Sequence, residues 1–136
     1  MAEESSGDRI RRGIEAFNAG DHDGVLELLA NDVEWKRVEG LPDTGAGWLH
    51  GKEAVRRFLE PEVFDVARIE ALEVVEDGST VLIRAIFHAR GAGSGIEMTT
   101  QTFLVYTLNA EGLAERVENW RTREDAERSS GLRFAG

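Results

Sequence analysis

Two side chains of this 136-residue chain suit proton transfer, and both lie in segments that alternate like β-strands. His88 carries an imidazole, the group that titrates closest to neutral pH. Glu118 shares a strand face with Trp120, and a carboxylate beside an apolar ring can act as a base. We therefore take His88 and Glu118 as the candidate catalytic residues for acid-base chemistry. For Glu118 an alternative stays open, a surface carboxylate paired with Arg84 or Arg116.

A second group of side chains suits the binding of a planar or polycyclic molecule. Each tryptophan, and the single tyrosine, combines a large apolar ring with one polar atom. Arg84 and Tyr106 can also steady negative charge that develops on a substrate. His50 lies in a glycine-rich crossing, as a lid contact or as plain surface. The candidate ligand-binding residues are Trp35, Trp48, His50, Arg84, Tyr106 and Trp120.

Composition excludes several other functions. Cysteine is absent, and the three histidines are far apart with no pair at the i, i+4 spacing of helical metal sites, so we expect neither a metal nor another cofactor. A net charge of -10 repels nucleic acid and anionic membrane surfaces. No segment has the length or composition of a membrane span or a signal peptide, and we expect a cytoplasmic protein.

The elements that must position these residues fall into two parts, with helices first. Apolar residues at helical spacing and suitable cap residues predict three short helices before residue 62. The first helix begins at Ser5, Ser6 or Asp8 and stops near Gly20, the second runs from Asp21 to about Asn31, and the third runs from Gly51 to Pro61. Between the second and third helices we expect a strand from Val33 to Val38 and a loop from Gly40 to Gly47.

The rest of the chain is predicted to be mainly antiparallel sheet. Strands are expected at 67–75, 80–90, 96–108 and 113–121, and a short helix between Thr122 and Gly131. In the strand 80–90, one face is core: Val81, Ile83, Ala85 and Phe87. The other face mixes apolar and ionisable groups, as do a pocket wall, an outer sheet face and a dimer contact: Leu82, Arg84, Ile86, His88 and Arg90.

Helices followed by antiparallel strands indicate a single α+β domain over residues 1–136, with residues 1–7 as a disordered tail. Local signatures occur in the same order: FNAGD at 17–21, LLANDVEW at 28–35, GKEAVRRFL at 51–59 and REDA at 123–126. Together they resemble the SnoaL-like branch of the nuclear transport factor 2-like superfamily. The resemblance implies a cone-shaped, cystatin-like α+β fold, in which N-terminal helices pack on a strongly curved sheet and enclose a pocket.

The same resemblance implies frequent homodimers and several activities, among them polyketide cyclase, isomerase, dehydratase and epoxide hydrolase. The polyketide cyclases of this branch carry an aspartate on the fourth strand, and the best register places Leu104 at that position. A hydrocarbon side chain cannot take a proton. The function therefore stays open between an acid-base enzyme acting on a small apolar molecule, a non-catalytic binding module that uses the same cavity, and a dimeric interaction domain.

Overall fold

The computed structural model describes residues 4–37, 47–60 and 64–135. The elements follow the predicted order, helices before long strands. They are α1 (Ser6–Asn18), α2 (His22–Leu26), β1 (Leu29–Lys36), β2 (Trp48–His50), α3 (Lys52–Leu59), β3 (Phe64–Asp77), β4 (Thr80–Gly91), β5 (Glu97–Leu108), β6 (Ala114–Trp120) and α4 (Arg123–Ser130).

All six strands form one mixed sheet in the order β2-β1-β6-β5-β4-β3. Neighbouring strands are antiparallel except β1 and β6, which are parallel; between these two the chain runs through β2, α3 and the antiparallel strands β3, β4 and β5. Register shifts interrupt the β3–β4, β5–β6 and β1–β6 ladders. Such irregularities bend strands and increase the local twist of the sheet.

The N-terminal helices begin at the predicted caps but differ from expectation at two boundaries. Ser5 accepts a hydrogen bond from Asp8 N, and α1 begins at Ser6, so the expected disordered tail is wrong for residues 4–7. The second helix stops at Leu26, well before Asn31, because the chain from Leu29 onward pairs with β6. The apolar run near residue 29 fits a helical stripe equally well, and only the distant strand decides between them.

Strand β2 was predicted as part of a glycine-rich crossing. Its three residues pair with β1, with Leu49 opposite Trp35 and Trp48 opposite Lys36. Three residues are too few to show alternation. Their strand conformation depends on a partner more than ten residues away along the chain.

The main core lies between the sheet and the first three helices, on the face that we call the inner face. The prediction that the Val81 face of β4 is core is confirmed for Val81, Ile83 and Ala85, which are fully buried, whereas Phe87 on the same face is half-buried. The core residues of the inner face are Ile10, Ile14, Leu26, Leu29, Val33, Val55, Val81, Ile83, Ala85, Leu104, Leu108, Ala114 and Val117.

A second, smaller core lies on the opposite, outer face under α4 and the residues that follow it. Thr122 caps α4, and Gly131 ends it in the left-handed region, both as predicted. The buried members of this core are Leu82, Phe103, Val105, Ala126 and Phe134. Within the described residues no helix is long and apolar enough to cross a membrane.

Phe134 is the residue that closes this outer core, with its ring 6.0 Å from that of Phe103. We expect Phe134→Ala to lower the free energy of unfolding by about 3 kcal/mol, as removal of a buried aromatic ring does elsewhere. Denaturant unfolding measures it. The exposed neighbour Arg133→Ala is the control, and equal stability of the two variants would contradict the packing of this segment.

Candidate functional site

A cavity of about 60 Å³ lies between α1, α2 and the inner face of the sheet. It is much smaller than the roughly 300 to 1,000 Å³ of sites that enclose drug-sized ligands. Most of its walls are hydrocarbon. The described residues that line it are Ile10, Gly13, Ile14, Phe17, Val25, Leu28, Leu29, Trp35, Ile69, Leu104, Tyr106, Ala114 and Asn119.

Trp35 is the first of three polar side chains in this lining. It stands on β1 opposite Val117 of β6, and its ring lies 6.4 Å from that of Phe58 on α3. Its Nε1 is buried and has no hydrogen-bond partner in the described part of the chain. A buried donor without an acceptor costs about 1 to 3 kcal/mol, so this orientation of the indole is set by packing and not by its own hydrogen bonding.

Tyr106 is the second polar side chain of the lining and comes from β5. Burial raises the pKa of its hydroxyl above the ordinary value of a tyrosine. No residue that the structure describes forms a hydrogen bond with this hydroxyl. At neutral pH it is therefore an uncharged group that can both donate and accept a hydrogen bond.

Asn119 is the third polar side chain and lies on β6, opposite Leu104 of β5. Its Nδ2 donates to the carbonyl of Lys36 at 2.7 Å, and the Nζ of Lys36 donates to the carbonyl of Asn119 at 3.1 Å. These reciprocal bonds join β1 to β6 at the edge of the cavity. They also hold the amide of Asn119 in one orientation.

Among the described residues of the lining there is no carboxylate and no imidazole. Leu104 lines the cavity. The resemblance assigns an aspartate of the cyclases to this position, but here the side chain is a hydrocarbon. No cluster of three histidine, aspartate or glutamate side chains that can hold a metal occurs in the ranges described above. The cavity therefore offers neutral hydrogen-bonding groups and no evident proton acceptor.

The structure places His88 on the outer face, opposite Thr99 and away from the cavity. Its Nε2 lies 3.0 Å from Oε1 of Glu70 on β3. The strand face that includes His88 had three open interpretations, and the outer sheet face is the one that this geometry favours.

Glu118 also lies on the outer face, where it is only 2% exposed. Its Oε1 accepts hydrogen bonds from Ser129 of α4 at 2.5 Å and from Trp120 Nε1 at 3.1 Å. Its Oε2 lies 3.4 Å from the guanidinium of Arg116, one of the two partners that the sequence left open. The bond from Ser129 joins α4 to the sheet on the side that the cavity does not reach, whereas Trp120 and Arg116 contact Glu118 within β6.

The remaining predicted binding residues divide between the two faces. Only Trp35 and Tyr106 line the cavity. On the outer face, Arg116 lies 4.6 Å from the ring centre of Trp48, and Lys36 lies 4.2 Å from that of Trp120. Of the other two, His50 lies with its Nδ1 3.7 Å from Oε2 of Glu34, and Arg84 forms an ion pair with Glu73 at 3.6 Å.

Sequence reasoning missed Asn119, although the signal was present. Alternation along β6 puts Val117 and Asn119 on one face and Glu118 and Trp120 on the other. A polar residue on the face of a buried valine is unusual and marks either a satisfied core amide or a site. The aliphatic walls from α1 and α2 carried no comparable signal, because apolar helix residues are ordinary core.

Comparison with models of protein families identifies the family of this chain. The model of the SnoaL-like domain matches residues 10–117, most of the chain. The chain belongs to this family. The resemblance found in the sequence is therefore confirmed, and so is the α+β fold of the nuclear transport factor 2-like superfamily. No curated protein sequence matches the chain.

Solved structures similar to this SnoaL-like domain share its fold at low identity. RV0760c from Mycobacterium tuberculosis, in complex with estradiol-17beta-hemisuccinate, is 20% identical with a TM-score of 0.75, over 85% of this chain and 93% of that one. TerC, co-crystallized with polyporic acid, is 24% identical with a TM-score of 0.75, over 93% and 98%. Delta 5-3-ketosteroid isomerase from Mycobacterium sp. is 18% identical with a TM-score of 0.74, over 90% and 97%.

The single tyrosine of this SnoaL-like domain allows a direct test of the cavity's polarity. Because burial raises the pKa of Tyr106, tyrosinate absorbance should appear at higher pH in the folded protein than in urea-unfolded protein, which titrates near pH 10. The associated stability is present below about pH 10 and is lost as pH rises through the folded pKa. Identical titration curves in the folded and unfolded protein would contradict the buried position of the hydroxyl.

Proposed function

We propose that the protein binds a small, mainly apolar molecule in the inner-face cavity and does so without acid-base catalysis. The observation that carries this proposal is a cavity whose described lining is hydrocarbon apart from three uncharged polar side chains, those of Trp35, Tyr106 and Asn119. A few converging hydrogen-bonding groups in an apolar cavity are typical of small-molecule sites. The structural neighbours captured with estradiol-17beta-hemisuccinate and with polyporic acid support the same use of the fold.

The size of the cavity limits the ligand. An engineered cavity of about 150 Å³ binds benzene, more than twice the 60 Å³ present here. A one-ring molecule therefore requires some lining side chains to move. Leu28 and Phe17 are half-buried at the helical wall, and we propose that they give way when the ligand enters.

Gly13 of α1 leaves space in the helical wall of the cavity because it has no side chain. A Cβ at this position meets Cδ1 of Leu28 at 2.8 Å, so an alanine requires the end of this flexible side chain, which lines the cavity, to shift. Gly13→Ala should leave the folded protein as stable or up to about 1 kcal/mol more stable, because alanine favours a helix. Its effect on ligand binding is thereby separated from its effect on stability.

The proposal is tested by thermal unfolding with a panel of one-ring and two-ring aromatic molecules and steroids. A ligand at ~100 times its dissociation constant should add about 2.7 kcal/mol of stability, which raises the melting temperature by several degrees. Gly13→Ala should reduce this ligand-induced shift, whereas His88→Ala on the outer face should leave it unchanged. A panel that shifts nothing would favour the interaction-domain alternative.

The alternative function, acid-base catalysis, predicts a different experimental result. His88 and Glu118 remain its predicted catalytic residues, and general acid-base groups are worth about 10²- to 10⁴-fold in rate. The substrate to try first is a Δ5-3-ketosteroid, the compound class in the name of the isomerase among the structural neighbours. Turnover by the wild type that is lost in folded His88→Ala or Glu118→Gln would contradict binding without catalysis.

We also propose that the chain forms a homodimer through the part of the outer face beside α4. This part carries charges of both signs around the half-buried Ile86, namely Arg68, Glu70, Arg84 and His88. Interspersed charges of both signs can be self-complementary about a twofold axis. Light scattering should give twice 15.0 kDa, and Ile86→Lys should give the single-chain mass. Glu15→Lys on α1 is the control, and a monomeric wild type at micromolar concentration would refute the dimer.

A further inference from the structure

Strand β3 forms one edge of the sheet. It stands last in the strand order and, among the described residues, pairs with β4 alone. A strand at an edge has backbone N–H and C=O groups that point away from its neighbour and can pair with a strand of another chain. With 14 residues β3 is a long edge, and Val66 and Leu72 on it are each 40% exposed. Such an edge is a surface for strand pairing unless something covers it.

The side chain of Asn18 covers the middle of this edge. Its Nδ2 donates to the carbonyl of Ile69 at 2.9 Å, and its Oδ1 accepts from the backbone N–H of Ile69 at 2.7 Å. An added antiparallel strand would form the same two bonds with Ile69, because an amide side chain carries the donor and the acceptor of a peptide group. Asn18 is the last residue of α1, so this helix holds the amide in place.

The sequence around Ile69 is complementary to itself. When a second β3 lies antiparallel to the first with Ile69 opposite Ile69, Arg68 of each copy stands opposite Glu70 of the other. Opposite charges that face each other across two strands stabilise the pairing. Val66 of each copy then comes close to Leu72 of the other, so the exposed apolar side chains of the edge cover one another. The edge therefore fits a second copy of itself.

We infer that the edge of β3 is an interaction surface for β3 of a second copy, and that Asn18 keeps this surface closed. While Asn18 is bonded, both backbone groups of Ile69 are occupied within the chain. Once Asn18 releases them, they pair with Ile69 of the second copy, and two sheets join into one about a twofold axis. The contact is made by backbone groups at the sheet edge, whereas the homodimer proposed above uses side chains of the outer face. The inference does not rest on that dimer or on the cavity.

Removal of the Asn18 side chain tests the inference. Asn18→Ala removes both bonds and keeps α1, because alanine favours a helix. In a dilute sample, the Ile69 amide hydrogen should exchange about tenfold faster than in the wild type, as expected for the loss of one hydrogen bond. In a concentrated sample, light scattering should give at least twice the wild-type mass, whatever that mass is. Glu15→Ala, at another exposed position of α1, is the control and should keep the wild-type mass.

Charge reversal identifies the surface that makes the contact. Arg68→Glu added to Asn18→Ala places carboxylates opposite each other, and the mass should fall to that of Arg68→Glu alone. The further change Glu70→Arg restores opposite charges and should restore the larger mass. An Asn18→Ala protein that keeps the wild-type mass at every concentration would overturn the inference. So would a larger mass that the charge reversal leaves unchanged, because the contact would then lie outside the β3 edge.

Discussion

The parallel pairing of β1 with β6 joins the first strand of the chain to its last strand and determines which side chains reach the cavity. Trp35 lies opposite Val117 and Lys36 opposite Glu118, so Trp35 and Asn119 point inward while Lys36 and Glu118 point outward. The reciprocal bonds between Lys36 and Asn119 hold this register. A slip of one residue would exchange the two faces and bring a carboxylate into the apolar cavity.

The two side chains that suit proton transfer, His88 and Glu118, both lie on the outer face, where each contacts polar or charged neighbours. Glu118 is a buried carboxylate, and such a group persists only where hydrogen bonds and a cation compensate its lost hydration. Ser129, Trp120 and Arg116 provide that compensation, and the bond from Ser129 ties α4 to β6. This arrangement leaves neutral groups on the inner face. A cavity with that lining is suited to discriminate ligands by hydrogen bonding.

Periodicity was sufficient to predict the long strands, the order of the elements and the separation of each strand into two faces. It could not decide which face meets the helices, because that depends on contacts distant in sequence. The alternation that groups His88 with Arg84 is the same for a pocket wall and for an outer face. Asn119 beside Val117 was the one local sign of the site. Strand β2 was missed because its pairing partner, not its own pattern, makes it a strand.

The Nε1 of Trp35, which has no hydrogen-bond acceptor among the described residues, has an energetic cost. An unsatisfied buried donor costs about 1 to 3 kcal/mol, a large part of the 5 to 15 kcal/mol by which domains of this size are stable. Its ring is held by Phe58 on α3, so the indole cannot easily turn to another acceptor. Burial of the surrounding apolar side chains must outweigh this cost, so the position of Trp35 is set by its packing between β1 and α3 and not by its own hydrogen bonding.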